Sequence, residues 1–251
     1  MSDGDTGMLK HSIALPILKG RLRGTRWLPA SGGKVLQVMM GTYEKEQTAL
    51  FEELIHPGDV IFDVGAHVGY YTLLAGALTG PRGRVFAFEP EPSNFAFLEQ
   101  HAALNGGASI AVVNSAVGDH AGDVVFEYGT GSGTGHVASS GAANSSPPPN
   151  CAPHGALVVP MLTLDAFARD QHTQCHAIKI DVEGAEMNVL RGAQSLLASA
   201  RPVIFLSTHG PAVHRDCLEF LRARGYSFEP IVGTDVNTTT EVLCRPSSMG
   251  R

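Results

Sequence analysis

The chain has 251 residues, 43% of them hydrophobic, enough to bury a full core. With no interior linker between two self-sufficient sets of elements, a single domain is expected. Its 18 Lys and Arg against 24 Asp and Glu leave a net charge of −6, which removes any general reason to expect nucleic-acid binding. Cys151, Cys175, Cys217 and Cys244 lack Cys-x-x-Cys pairing and metal-ligand spacing, which argues against a disulfide framework or a zinc site and for reduced thiols.

Residues 1–40 are poorly periodic and rich in Gly and Pro, and read as an N-terminal cap or lid ending in a strand over Lys34 to Met40. The polar start, Ser2 to Asp5, and the short apolar stretch Ile13 to Leu18, broken by Pro16, predict neither a signal peptide nor a spanning helix, hence a cytoplasmic protein. The basic run Lys19, Arg21, Arg23 and Arg26 is the one local exception to the acidic balance, and reads as a solvated face.

The main domain, residues 41–251, opens with a helix over Glu44 to Ile55. Val60, Ile61, Phe62 and Val64 then form the near-continuous apolar run of a parallel strand covered on both faces, closed by Asp63. Gly65 and Gly69 permit a tight turn and a close backbone approach to a ligand, and Thr72 to Leu78 continues as an apolar helix. This turn lacks the Gly-x-Gly-x-x-Gly of dinucleotide sites, which disfavours a pyrophosphate ligand and a nicotinamide-dependent dehydrogenase. The next strand, Arg84 to Glu89, ends on a carboxylate 26 positions after Asp63, about the spacing at which an acidic residue meets ribose hydroxyls. Together the two halves point to an adenosine ligand without a diphosphate, of which S-adenosylmethionine is the common one.

A third strand over Ser109 to Asn114 follows a helix reaching Leu104 and precedes the Gly118-Asp119 turn. From residue 128 to 155 the composition turns to Gly, Ser, Ala, Asn and Pro and reads as a flexible insertion between edge-like strands at Val124 to Glu127 and Ala156 to Pro160. Thr163-Leu-Asp165 starts a short helix, Ala177 to Val182 is a strand, and one helix is expected from Ala185 to Ala198. Arg201-Pro202 stops it before the strand Val203 to Ser207; a helix over Val213 to Arg224 then leads to an antiparallel pair, Tyr226 to Ile231 and Glu241 to Arg245. Alternating strands and helices followed by a terminal hairpin predict an α/β fold: a seven-stranded, mostly parallel sheet with helices on both faces.

In order, Asp63 to Thr72, Phe88-Glu-Pro90, Ala116-Val-Gly-Asp119, Thr163-Leu-Asp165, Ile178-Lys-Ile-Asp-Val-Glu-Gly-Ala-Glu186, Val189-Leu-Arg-Gly192 and Arg201-Pro202 resemble the FkbM-type methyltransferases. The block from Ile178 to Glu186 is the most specific part of the likeness. The resemblance implies a Rossmann-like class I methyltransferase fold and S-adenosylmethionine-dependent methylation of a small-molecule hydroxyl on a sugar or natural product. It also implies a cofactor site at Asp63, Gly65, Ala66, His67, Gly69, Tyr70, Glu89, Pro90, Ser115, Ala116 and Asp181. His67 stands where the family commonly has Asn, and Ser207 where many members have Glu.

His209, two residues beyond the strand Val203 to Ser207, reaches the same sheet edge and is the expected general base. Asp181 is expected to touch the cofactor's amino group or the acceptor, with Lys179 orienting it and Glu183 following on the turn. Alternatively, Asp181, Glu183 and Glu186 bind Mg²⁺ and lower the acceptor hydroxyl's pKa. A methyltransferase-fold binding protein that has lost its chemistry is the reading from another class.

Overall fold

The computed structural model of the chain describes residues 13–105, 109–128, 135–137 and 156–247. It begins with a short antiparallel hairpin, β1 (Leu15–Pro16) and β2 (Arg26–Trp27), followed by helices α1 (Val35–Met39) and α2 (Lys45–Leu54). The strand expected over Lys34 to Met40 is therefore a helix. Five apolar-rich residues suit either state, and packing decides between them: the helical turn brings Val35, Val38 and Met39 onto the core that holds Ile17 and Trp27, while Leu36 faces solvent.

Next come β3 (Val60–Val64), α3 (Tyr70–Thr79), β4 (Arg84–Phe88), α4 (Pro92–Leu104) and β5 (Ile110–Val113). Short strands β6 (Ala116–Val117), β7 (Gly122–Tyr128), β8 (Gly135–Val137) and β9 (Ala156–Leu162) lead to α5 (Leu164–Asp170) and β10 (Ala177–Ile180). Helices α6 (Glu186–Arg191) and α7 (Gln194–Ser199), β11 (Val203–Ser207), α8 (Pro211–Arg222), β12 (Tyr226–Pro230) and β13 (Glu241–Pro246) complete the order.

The main sheet has seven strands in the order β12-β13-β11-β10-β3-β4-β5. Strands β11, β10, β3, β4 and β5 pair in parallel; β12 and β13 form the antiparallel pair that the sequence predicts, with β13 inserted antiparallel against β11. Period-2 alternation sends Phe62, Val64, Phe86, Phe88, Ile178 and Ile204 to one core and Ile61, Val85, Phe205 and Leu243 to the other, so both faces are covered. The second core also takes in Ile17 and Trp27 from the N-terminal hairpin. Trp27 stacks at 4.0 Å on His101 of α4, whose Nδ1–H donates to Val68 O (2.7 Å) while its Nε2 accepts from Leu28 N–H (2.9 Å).

Two features depart from expectation. The strands read as edges beside the insertion join β6 and β8 in a separate four-stranded sheet, β6-β9-β7-β8. Of the insertion itself, only β8 and the flanking strand ends are described; residues 129–134 and 138–155 lie outside the described residues. The single helix expected from Ala185 to Ala198 is broken into α6 and α7. Asp165 is the cause: its carboxylate accepts from Ser195 and Leu196 N–H (both 2.9 Å), giving α7 its own N-terminal anion, while Asp165 N–H donates to Gly192 O (2.9 Å). Among the described residues, no helix is long and apolar enough to cross a membrane.

Candidate active site

A cavity of about 400 Å³ opens where β3, β4 and β10 end, the crevice in which open α/β sheets hold ligands. Gly65, at φ +76°, follows β3 directly, and a Cβ there would lie 1.8 Å from Asp181 O. A Cβ on Gly69 would lie 2.6 Å from Leu98 Cδ1. Gly65 is thus required by packing against the exit of β10, and Gly69 by its left-handed φ of +96°. His67 also sits at positive φ, +51°, a conformation that Asn and His tolerate better than most residues, so His in place of Asn preserves the turn.

That turn orders one end of the cavity. His67 N–H donates to Glu89 Oε2 (2.8 Å) and Glu91 N–H to Glu89 Oε1 (2.9 Å), so backbone amides hold the carboxylate in a fixed orientation at the end of β4. Burial pushes the Glu89 carboxyl up to about 7 even though both amides favour its charged form. Ser115 and Ala116 line the same end, but the Ser115 hydroxyl donates to backbone carbonyls, Pro160 O at 2.8 Å and Ala116 O at 2.9 Å.

The other end is built from side chains. Lys179 and Asp63 are partners in the β10–β3 register, and burial raises the Asp63 carboxyl while Lys179 and the Thr72 hydroxyl oppose it. Asp63 Oδ1 has no hydrogen-bond partner among the described residues. Lys179 Nζ lies 3.2 Å from Asp181 Oδ2 and 5.2 Å from the Tyr71 ring. Burial works against charge on both members of the Lys179–Asp181 pair, but their mutual attraction wins, raising Lys179 and lowering Asp181. Beyond Asp181, the left-handed Glu183 and Gly184 turn the chain so that Gly184 N–H donates to the buried Glu186 Oε1 (2.9 Å).

His209 Nδ1–H donates to that same Oε1 at 2.8 Å, fixing the ring so that Nε2 lies 3.5 Å from Glu183 Oε2 and 3.8 Å from Asp181 Oδ1. The hydrogen bond to Glu186, opposed by burial and aided by Glu183, raises its pKa, which makes the neutral ring a stronger proton acceptor. The two Nε2 separations are longer than ordinary hydrogen bonds, so Nε2 is not firmly paired with either carboxylate.

Of the residues singled out in the sequence, Gly65, Ala66, His67, Tyr70, Glu89 and Pro90 line the cavity from the β3 and β4 loops. Ser115, Ala116, Lys179, Asp181 and Glu183 line it from the remaining strands. Asp63 and Gly69 do not; Asp63 is a buried partner to Thr72 and Lys179. His209 and Glu186 do not line it either, but lie next to the Asp181–Glu183 wall. Of the acidic trio, Asp181 and Glu183 bring ligand atoms within 4.8 Å of one another and of His209, whereas Glu186 is turned to Gly184 and His209.

Several wall residues had no sequence signal. Trp27, Lys34, Tyr43 and Glu44 come from the N-terminal segment and the approach to α2; Glu44, at φ +39°, accepts from Tyr71 O–H at 3.0 Å. Glu241 stands directly opposite Ser207 in the β11–β13 register, so a carboxylate absent from position 207 is present on the neighbouring strand. Burial, then Glu44 and Asp181, raise its pKa, which puts it within electrostatic reach of the site.

The donor set suits a cationic adenosine-type ligand. Glu89 retains lone pairs for a vicinal diol, Phe88, Ala116 and Val117 offer apolar walls for a base, and the carboxylates of Glu44, Asp181 and Glu183 complement a positive charge.

The Methyltransferase FkbM domain matches residues 63–228 of the chain. Over 187 residues, 74% of this chain and 71% of the relative, the chain is 25% identical to the hexuronic acid methyltransferase AglP of Haloferax volcanii. Over 68 residues, 27% of this chain and 25% of the relative, it is 46% identical to the 31-O-demethyl-FK506 methyltransferase FkbM of Streptomyces tacrolimicus. The crystal structure of methyltransferase FkbM from Methylobacillus flagellatus shares the fold, with a TM-score of 0.53 at 15% identity over 79% of this chain and 50% of that one.

Proposed function

This chain belongs to the FkbM methyltransferase family, and from that premise we propose that it methylates a hydroxyl oxygen of a small molecule, a sugar or a natural-product scaffold. The family's cofactor is S-adenosylmethionine, which when bound supplies an electrophilic methyl group on a sulfonium. One relative is named for a hexuronic acid and the other for an O-demethyl compound, and both names favour an oxygen acceptor. The observation that carries the reading is a single cavity with a buried, amide-held carboxylate at one end and Asp181 and Glu183, with His209 next to them, at the other.

In this reading Glu89 accepts the ribose hydroxyls, Ser115, Ala116 and Pro90 border the adenine, and the Gly65 to His67 turn with Tyr70 borders the methionine portion. Asp181, kept ionised by Lys179, orients the acceptor. Its hydroxyl meets Asp181 and Glu183 at the cavity wall, and its proton leaves to Nε2 of the neutral form of His209 beside them, whose Nδ1 is held by Glu186. Transfer needs the acceptor oxygen about 3 Å from the methyl carbon and in line with the breaking bond, so positioning carries much of the rate. In this reading residues 13–44, which contribute Trp27, Lys34 and Glu44 to the cavity wall, cap the donor site.

Calorimetry with S-adenosylmethionine, followed by methyl transfer to a panel of uronic acids and polyhydroxylated macrolides, tests the proposal. Absence of cofactor binding by the wild-type protein would refute it. A metal-assisted variant is favoured by one observation, the three ligand atoms of Asp181, Glu183 and His209 within 4.8 Å. Turnover that survives exhaustive chelation would eliminate that variant.

A further inference from the structure

The segment from Ile13 to Tyr43 contains five cations, Lys19, Arg21, Arg23, Arg26 and Lys34, and no acid. The whole chain carries −6, so the remaining residues hold −11 (−6 less +5). All five cations are exposed. Only Lys34 has an ion-pair partner among the described residues, Glu44 at 4.0 Å. The same segment exposes Ile13 (77%), Leu15 (45%), Leu18 (57%) and Leu36 (76%), four of the eight large hydrophobic residues left exposed among the described residues.

These side chains do not belong to a loosely attached tail. Ile17, Leu22, Trp27 and Val38 are buried in the core from the same segment. Leu18 N–H donates to Met39 O (2.9 Å), and Lys19-Gly20 packs on Gly41 so closely that a Cβ on Gly41 would lie 2.6 Å from Lys19 O. The exposed leucines and cations are therefore carried on an anchored scaffold, beside the cavity that Trp27 and Lys34 help to line.

A segment that only needs solvation has no use for four exposed aliphatic side chains alongside five exposed cations, and a soluble polyanion is recognised by cations without them. An anionic bilayer rewards both, since acyl chains take the aliphatic groups while headgroup charge attracts Lys and Arg within a Debye length. We infer that residues 13–43 form a docking surface for an anionic phospholipid bilayer, bringing the cap of the cavity to the membrane. This inference does not depend on the reaction catalysed.

Flotation of the full chain with vesicles tests it, using phosphatidylcholine alone or phosphatidylcholine mixed with phosphatidylglycerol. The wild-type protein floats only with the phosphatidylglycerol vesicles, and high salt weakens the association. The pair Arg21→Glu and Arg23→Glu lowers partitioning by at least about tenfold, and the pair Leu18→Ser and Leu36→Ser lowers it by a similar factor. All four positions are exposed, and circular dichroism should show unchanged folding. Wild-type protein left in the aqueous layer, or binding both vesicle types equally, overturns the inference. So does binding that tolerates the loss of either pair, and heparin binding kept by the leucine variant would then identify a soluble-polyanion site.

Discussion

The two ends of the cavity hold their carboxylates by different means. At the Glu89 end, both oxygens accept backbone N–H groups whose positions are set by the β3 turn and the start of α4, and the side chain is buried. At the other end, Asp181, Glu183 and His209 are each about a third or more exposed and are held mainly by one another, by Lys179 and by Glu186. Backbone donors are placed when the fold forms, so that end is preorganised for one ligand. Contacts between side chains can be rebuilt by few substitutions. The difference suits a site in which one partner of the reaction is constant and the other varies within a family.

Breaking the link between the ends has the largest expected effect. Gly65 joins them, because its position against Asp181 O spaces the β3 turn from the exit of β10. Gly65→Ala places a Cβ in that contact at a positive φ and is expected to cost more than about 3 kcal/mol of stability. Chemical denaturation measures this, and an unchanged midpoint would show that the ends are not coupled through the backbone. Next in size is Glu89→Ala, which removes the diol acceptor and orphans the amides of His67 and Glu91; affinity for S-adenosylmethionine should fall at least about a hundredfold. Wild-type affinity by calorimetry would mean that the ribose is held elsewhere.

At the second end, His209→Ala should lower kcat about 10²- to 10⁴-fold with cofactor affinity unchanged. Glu186→Gln, which weakens the hold on Nδ1, should lower kcat by about tenfold. Equal losses of cofactor affinity in the two variants would place His209 at the donor end and collapse the comparison.

The amide-held end was the more legible in the sequence. A strand run, a glycine turn and a carboxylate closing the next strand lie within one β-α-β unit, so local pattern suffices to place Glu89. The sheet was legible for the same reason, since its central strands are near-continuous apolar runs and β12 shows period-2 alternation. What escaped the sequence depends on contacts between distant residues. Asp165 breaks a helix that begins some twenty positions later, and Val35 to Met39 turns helical because Val38 and Met39 find a core. Glu241 reaches the level of Ser207 only because β13 inserts antiparallel beside β11, a register no local spacing announces. Asp63 closes its strand as a ligand residue would, yet its side chain turns toward Thr72 and Lys179, and only the packed sheet reveals this.

The smallest effect sharpens the contrast through pH. Burial places the Glu89 carboxyl at about 7, above the ordinary carboxylate range, so in the free protein it is largely neutral below that pH and ionised above it. Hydroxyl donors of a ribose favour the ionised form. Affinity for S-adenosylmethionine is therefore present above pH 7 and declines as pH falls through it, by about tenfold between pH 8 and pH 6 for one such group. Linkage requires the converse: binding pulls the carboxyl down and releases protons near neutral pH, which calorimetry in buffers of differing ionisation enthalpy counts directly. His209→Ala should leave this proton release intact, because the titrating group sits at the opposite end; release that disappears with His209 would transfer the pH dependence, and the donor site with it, to the Asp181 cluster.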